Sequence, residues 1–180
     1  MKKILIVVDM QNDFIDGPLG NAECQAAVPH VVDVIRNGMY TNIILTRDTH
    51  QNNYLETQEG KHLPVVHCIE NTNGWQIHPD VMQAVDEVMG RMPVEPVIFD
   101  KPAFGSMELA AWIREHVTQM DEIDLVGVCT GICVISNAML AKAAAPETKI
   151  CVIGKACACV TPASHQTALD AMKLCQIEIV

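Results

Sequence analysis

Six short runs of branched and apolar residues, at 4–8, 42–46, 97–100, 123–128, 149–153 and 177–180, recur along the chain with helical patterns between them. Each run reads as apolar on both faces, which suits a strand buried from two sides. A sheet covered on both faces by the helices that join its strands leaves few alternatives. The pattern predicts a single domain over residues 1–180 with an α/β, doubly wound three-layer α/β/α fold, a six-stranded, mainly parallel sheet and right-handed crossovers.

The connecting helices announce their ends. Pro29 is expected in a first turn, followed by Val31, Val32 and Ile35, with Gly38 as a stop. Pro79 opens a helix that Gly90 closes, and Ser106 caps another through Leu109, Trp112 and Ile113. Thr130 caps a fourth that runs through Val134, Ala138 and Ala141, and Thr161 with Pro162 starts a fifth carrying Ala168, Leu169 and Met172. One stretch breaks the rhythm. Residues 47–77 show no clear period and hold His50, His62 and His67, and a loop that long in a compact domain is usually functional.

Twelve basic against twenty-two acidic residues give a net charge of -10, which argues against nucleic acid as a partner. No apolar run approaches the roughly 18 residues a membrane helix needs, so no membrane partner is expected. The apolar run at the N-terminus is interrupted by Asp9 and reads as a buried strand rather than a signal peptide. The eight cysteines lie inside apolar runs without paired CxxC units. They read as small hydrophobic filler in a reducing, cytoplasmic setting rather than as a disulfide scaffold or zinc ribbon.

In open parallel sheets the ligand sits beyond the carboxyl ends of the strands. There the sequence places Asp9, Asp48, Lys101 and Cys133. Asp9 alone would pass for a turn residue helped by Gln11, Asn12 and Asp13, and a single cysteine for core filler. Together they are more specific. With Thr130 as N-cap, Cys133 falls in the first helical turn, where free amides and the helix dipole favour a thiolate and could hold an oxyanion. In the common strand order 3-2-1-4-5-6, Asp9 and Cys133 flank the switch point. Lys101 must then reach over the end of the second strand, or the order differs.

Five segments in order resemble the isochorismatase-like cysteine hydrolases, especially the nicotinamidases: VVDMQNDF at 7–14, TRDTH at 46–50, LPVVHCI at 63–69 with TNG at 72–74, FDKPAFGS at 99–106, and GVCTGICV at 127–134. The resemblance implies that Asp9 accepts the thiol proton of Cys133, that Lys101 holds both electrostatically, and that Cys133 attacks an amide carbonyl to form a thioester and release ammonia. It also implies an oxyanion hole made by the backbone amides of Cys129 and Cys133, and a non-proline cis bond between Val128 and Cys129.

The same resemblance implies a divalent metal held by Asp48, His50 and His67, with Glu59 preferred as fourth ligand over Glu56 and His62. The ligand types suit Zn²⁺, with Fe²⁺ or Mn²⁺ as alternatives. His30, His116 and His165 fall on predicted helices and read as structural. Phe14 is the aromatic wall retained for a flat ring, and Phe104, Tyr54 or Trp75 could supply another. Thr49 and Leu63-Pro64 depart from the family's usual aromatics. The reading is a metal-assisted amidohydrolase acting on a small-molecule amide, nicotinamide first, in a homo-oligomer. The alternatives are a metal-free hydrolase of another small amide or carbamoyl compound and, from a different class, a thiol redox or metal-storage protein. Cys157-Ala158-Cys159 and the methionines at helical spacing read as packing, and residues 119–124 as a solvated turn.

Overall fold

The computed structural model describes residues 1–91 and 94–180. Six strands, β1 (Lys3–Val8), β2 (Asn42–Asp48), β3 (Val97–Lys101), β4 (Glu122–Val128), β5 (Lys149–Ala158) and β6 (Glu178–Ile179), form one sheet in the order β3-β2-β1-β4-β5-β6. Every pairing is parallel, so the mainly parallel sheet of the sequence reading is wholly so. The helices are α1 (Asn12–Ile15), α2 (Ala22–Asn37), α3 (Gln58–His62), α4 (Pro79–Met89), α5 (Met107–His116), α6 (Ile135–Ala144) and α7 (Pro162–Leu174). No helix among the described residues is long and apolar enough to cross a membrane.

Alternation along the strands sorts the core into two layers. Leu5, Val7, Leu45 and Val126 face the apolar stripes of α2 and α4. Ile4, Ile6, Val8, Ile44 and Leu125 face α5, α6 and α7. β3 departs from the expected double burial: it is the sheet edge, and Ile98 and Asp100 are exposed.

Three local readings are corrected. Pro29 does not open its helix but lies inside α2, which begins where the Asn21 side chain accepts the Cys24 amide. Ala22–Val28 carries good helix formers and a cap, and these extend the helix past the proline signal. Residues 119–124 are not simply solvated. Asp121 accepts the Lys2 amide, and Asp124, buried within β4, accepts the Tyr40 hydroxyl at 2.8 Å. Among the cysteines read as filler, Cys175 is exposed at the end of α7.

Arg47 and Asp48 of the irregular 47–77 stretch belong to β2, and the rest of it contains only a 3₁₀ turn at Tyr54–Glu56 and the short α3. A bridge between His50 and Ile69 closes the stretch on itself, and another between Gln11 and Ile77 ties its end to the segment that follows β1. The residues just after Asp9 supply the clamps. Gln11, fully buried, accepts the Asp48 amide at 2.7 Å and donates to the Asp48 and Trp75 carbonyls. Asp13 accepts the Cys68 amide at 2.7 Å, and a Cβ at Gly74 would fall on its carboxylate.

Candidate active site and metal centre

The C-terminal ends of β1, β2, β3 and β4 meet in one place. Asp9 follows the last residue of β1 and has φ +48°, a left-handed conformation that turns the chain out of the strand and that aspartate tolerates better than most residues. Its Oδ1 accepts the Thr46 hydroxyl at 2.6 Å. Oδ2 lies 2.6 Å from Lys101 Nζ, a wholly buried ion pair.

Lys101 ends β3, in register with Asp48 of β2. Its side chain crosses over β2, which settles the difficulty posed by the strand order. From there Nζ lies 2.6 Å from Asp9, 3.4 Å from Asp48 Oδ1 and 3.6 Å from Cys133 Sγ. Burial alone would discharge this ammonium, but Asp9, Cys133 and Asp48 hold its pKa above the ordinary lysine value.

Cys133 sits in a π turn, Thr130–Val134, where the Val134 amide bonds back to the Cys129 carbonyl; such turns recur at functional sites. Cys129, not Thr130, is the N-cap, and no side chain caps the turn. The Thr130 hydroxyl instead meets His165 Nδ1 at 2.8 Å, which accounts for one of the helix histidines read as structural. The Val128–Cys129 peptide is cis, as the resemblance implied.

The helix amides do not act on the thiol alone. Burial, then the facing Asp9 carboxylate, push the Cys133 thiol well above its ordinary value, against Lys101. Burial likewise raises Asp9 above the usual carboxylate range, with Lys101 opposing and Asp48 adding to the rise. The arrangement is a thiol beside a carboxylate of increased basicity, both against one ammonium.

Beside this trio, Asp48, His50, Glu59 and His67 bring one donor atom each to within 4.8 Å of one another. Asp48 Oδ2 is 3.0 Å from His50 Nε2 and 3.5 Å from His67 Nε2, and Glu59 is 3.5 Å from His50. His67 Nδ1 is 2.7 Å from the Val65 carbonyl, which fixes the tautomer and leaves Nε2 free to ligate. Burial lowers the His50 pKa, but hydrogen bonds to Asp48 and Glu59 override it and raise the value to about 9. This cluster attracts positive charge. Two imidazoles and two carboxylates, with Glu59 facing a cavity, fit a divalent cation. Glu56 and His62, the other candidates for fourth ligand, are exposed and stand outside the cluster.

A cavity of about 390 Å³ connects the two groups, lined by Asp48, Glu59, His67, Cys129 and Cys133 at its base and by Phe14, Leu19, Leu63, Phe104, Ile132 and Val160 on its walls. Among the described residues, no lysine or arginine lines it. Of the four aromatic residues named from the sequence, Phe14 and Phe104 line this cavity and Tyr54 and Trp75 do not. Tyr54 is buried against the rings of His50 and His67 and donates to the Leu63 carbonyl. Trp75 is buried outside the cavity, donating to Thr49 and covered by the Arg47 guanidinium. Sequence reasoning missed Leu19, Ile132 and Val160 as walls, and Thr46 and Asn137 as supports. Asn137 alone carried a signal: an amide on the apolar stripe shared by Val134, Ala138 and Ala141.

A family model described as the isochorismatase domain matches residues 3–180. A Bacillus subtilis relative named uncharacterized isochorismatase family protein PncA is 31% identical over 77% of this chain and 78% of its own length. The nicotinamidase/pyrazinamidase of Mycobacterium tuberculosis is 25% identical over 99% of this chain and 98% of its own. The structure of Pyrococcus horikoshii pyrazinamidase in complex with zinc superposes with a TM-score of 0.78 at 28% identity, covering 100% of this chain and 99% of that one.

Proposed function

The chain belongs to the isochorismatase family, and from that premise we propose that it is a metal-assisted cysteine amidohydrolase whose substrate is nicotinamide, cleaved to nicotinate and ammonia. Hydrolysis of an amide C–N bond is the chemistry of its relatives. The observation that carries the reading is the meeting of Asp9, Lys101 and Cys133 beside the four-donor cluster, with Cys133, Asp48, Glu59 and His67 lining one apolar cavity.

In this proposal the Cys133 thiol gives its proton to Asp9 as sulfur attacks the amide carbonyl. Burial makes Asp9 a stronger base than a free aspartate, closer to the pKa that general catalysis favours. Lys101, 3.6 Å from sulfur, faces the negative charge that develops there as the proton leaves, and keeps Asp9 ionised beforehand. The backbone amides of Cys129 and Cys133 hold the carbonyl oxygen as it becomes an oxyanion. Asp9 returns its proton to the departing nitrogen, ammonia leaves, and a thioester remains on Cys133. Water then attacks the thioester, losing a proton to Asp9, and the thiol is restored as the acid departs.

Asp48, His50, Glu59 and His67 would hold the metal. When bound, it supplies a Lewis acid for a lone pair on the substrate, such as a ring nitrogen, and so fixes the ring's orientation. Phe14 and Phe104 then flank a flat ring.

Purified protein is expected to release ammonia from nicotinamide, to lose that activity on Cys133→Ala or Asp9→Asn, and to lose most of it with a chelator. Retained turnover in Cys133→Ala, or unchanged turnover in Asp9→Asn, refutes the catalytic assignment; no ammonia release from any amide returns the thiol redox alternative. Metal analysis finding no bound or activating divalent ion refutes the metal centre and favours the carbamoyl-hydrolase alternative.

A further inference from the structure

One buried side chain outside the trio joins the nucleophile to the cavity wall. Asn137 in α6 is 1% exposed. Its Oδ1 accepts the Ser106 amide at 2.9 Å, and its Nδ2 donates to the Cys133 carbonyl at 2.9 Å and to the Phe104 carbonyl at 3.2 Å. Cys133 carries the sulfur. Phe104 and Ser106 belong to the segment that leaves β3 after Lys101 and enters α5, for which Ser106 is the N-cap. Phe104 itself is a cavity wall. The amide therefore spans two separate chain segments at the point where both contribute to the site.

We propose that Asn137 is a positioning residue: it locks the backbone of Cys133 to the Phe104–Ser106 segment, so that sulfur, the end of β3 and one wall of the cavity form a single rigid unit. This rests on the assignment of Cys133 as nucleophile. A buried amide with all three contacts made is worth retaining only where its geometry is needed, since an incomplete set would leave carbonyls or an amide unpaired. Small displacements of a nucleophile, of about 1 Å, can cost on the order of 100-fold in rate.

The contacts can be separated. Asn137→Ala removes all three. Asn137→Thr keeps a hydroxyl able to donate to the carbonyl four residues earlier, that of Cys133, but reaches neither Phe104 nor Ser106. The alanine variant is expected to lower kcat roughly 10- to 100-fold and to raise KM. The threonine variant is expected to return kcat to within about threefold of the parent while KM stays raised, because the wall remains unpinned. Alkylation of Cys133 by iodoacetamide, followed by peptide mass mapping, is expected to be at least about threefold faster in Asn137→Ala, as the turn loosens around a buried thiol. That arm needs no substrate, so it still decides the proposal if nicotinamide proves not to be turned over.

Equal kinetics in the two variants, or an alkylation rate unchanged from the parent, would overturn the proposal. Should the alanine variant fail to fold, hydrogen exchange in the parent decides it: the Ser106 amide is expected to exchange slowly, and exchange at the rate of a free loop would sink it.

Discussion

Replacing Lys101 with methionine probes the electrostatic centre of the site in a single step. The ammonium is wholly buried, 2.6 Å from Asp9 Oδ2 and 3.4 Å from Asp48 Oδ1, and methionine keeps most of its length without its charge. At an effective dielectric constant near 20, the Asp9 pair alone has a gross attraction of about 6 kcal/mol. Part of that offsets the desolvation of both ions. Removing one member of a buried pair costs about 3–5 kcal/mol, because the other charge is left alone. For a chain of this size the corresponding fall in Tm is roughly 6–20 °C.

The pH dependence follows from Asp9. Burial already raises its carboxyl and Lys101 is the main force holding it down, so without Lys101 it rises further. A carboxyl whose folded pKa exceeds the unfolded value stabilises the fold below the unfolded pKa, and that contribution is lost as pH climbs through the folded pKa. The deficit of Lys101→Met is therefore largest in mildly alkaline buffer and shrinks as the pH is lowered toward about 5. Urea titrations of both proteins across that range measure it. The double variant Asp9→Asn/Lys101→Met is expected to recover a large share of the loss in alkaline buffer, since Asp9 no longer carries an uncompensated charge. A deficit that does not change with pH, or a double variant less stable than Lys101→Met, refutes the reading of Lys101 as the counter-ion of Asp9.

Because burial and Asp9 hold the Cys133 thiol well above its ordinary value, alkylation of Cys133 should keep rising with pH beyond about 9. A plateau below neutrality would reveal a resting thiolate instead. Gly127 has φ +118°, and a Cβ there would fall on the Val8 carbonyl. Gly127→Ala is thus expected to lower stability by about 3 kcal/mol or more, read from the urea midpoint, and an unchanged midpoint would contradict the β1–β4 register.

The parts of this molecule that follow a period were legible in its sequence. All six strands start within a residue of an apolar run, although β5 continues to Ala158, five residues past its run, and Pro79, Ser106 and Thr161 mark true helix starts. Legibility failed where one interaction outweighs another of similar size. Pro29 looked like a helix start because proline suits a first turn, yet the Asn21 cap begins α2 earlier. Thr130 looked like a cap, but its hydroxyl is taken by His165. Cys133 looked like a thiolate because helix amides favour one, whereas burial and a neighbouring carboxylate act more strongly in the opposite direction. Tyr54 and Trp75 looked like pocket walls because aromatic rings near a site commonly are; which way a ring faces in an irregular loop depends on long-range bonds such as Trp75 to Thr49, and no local pattern encodes those.

The strand order explains why the third member of the trio is a lysine. β1 and β4 are neighbours, so Asp9 and the turn bearing Cys133 come together from adjacent strand ends. β3 is two strands from β1, a backbone separation of roughly 10 Å at ordinary sheet spacing. Only a long side chain closes that gap, and it must pass over Asp48, the residue paired with it at the end of β2. Arginine has the length, but its planar guanidinium directs donors along a fixed fork. A lysine ammonium is a compact charge that can face Asp9, Asp48 and Cys133 together, and the distances of 2.6, 3.4 and 3.6 Å show that it does. Asp48 in turn divides its carboxylate, Oδ1 toward Lys101 and Oδ2 toward His50 and His67. Gln11 holds the backbone of Asp48 at both its amide and its carbonyl, so the orientation of that shared carboxylate is set from the segment that follows Asp9. The proposed base and the loop that carries the candidate metal ligands are thereby tied to one short stretch of chain, which also sets the carboxylate that faces Lys101.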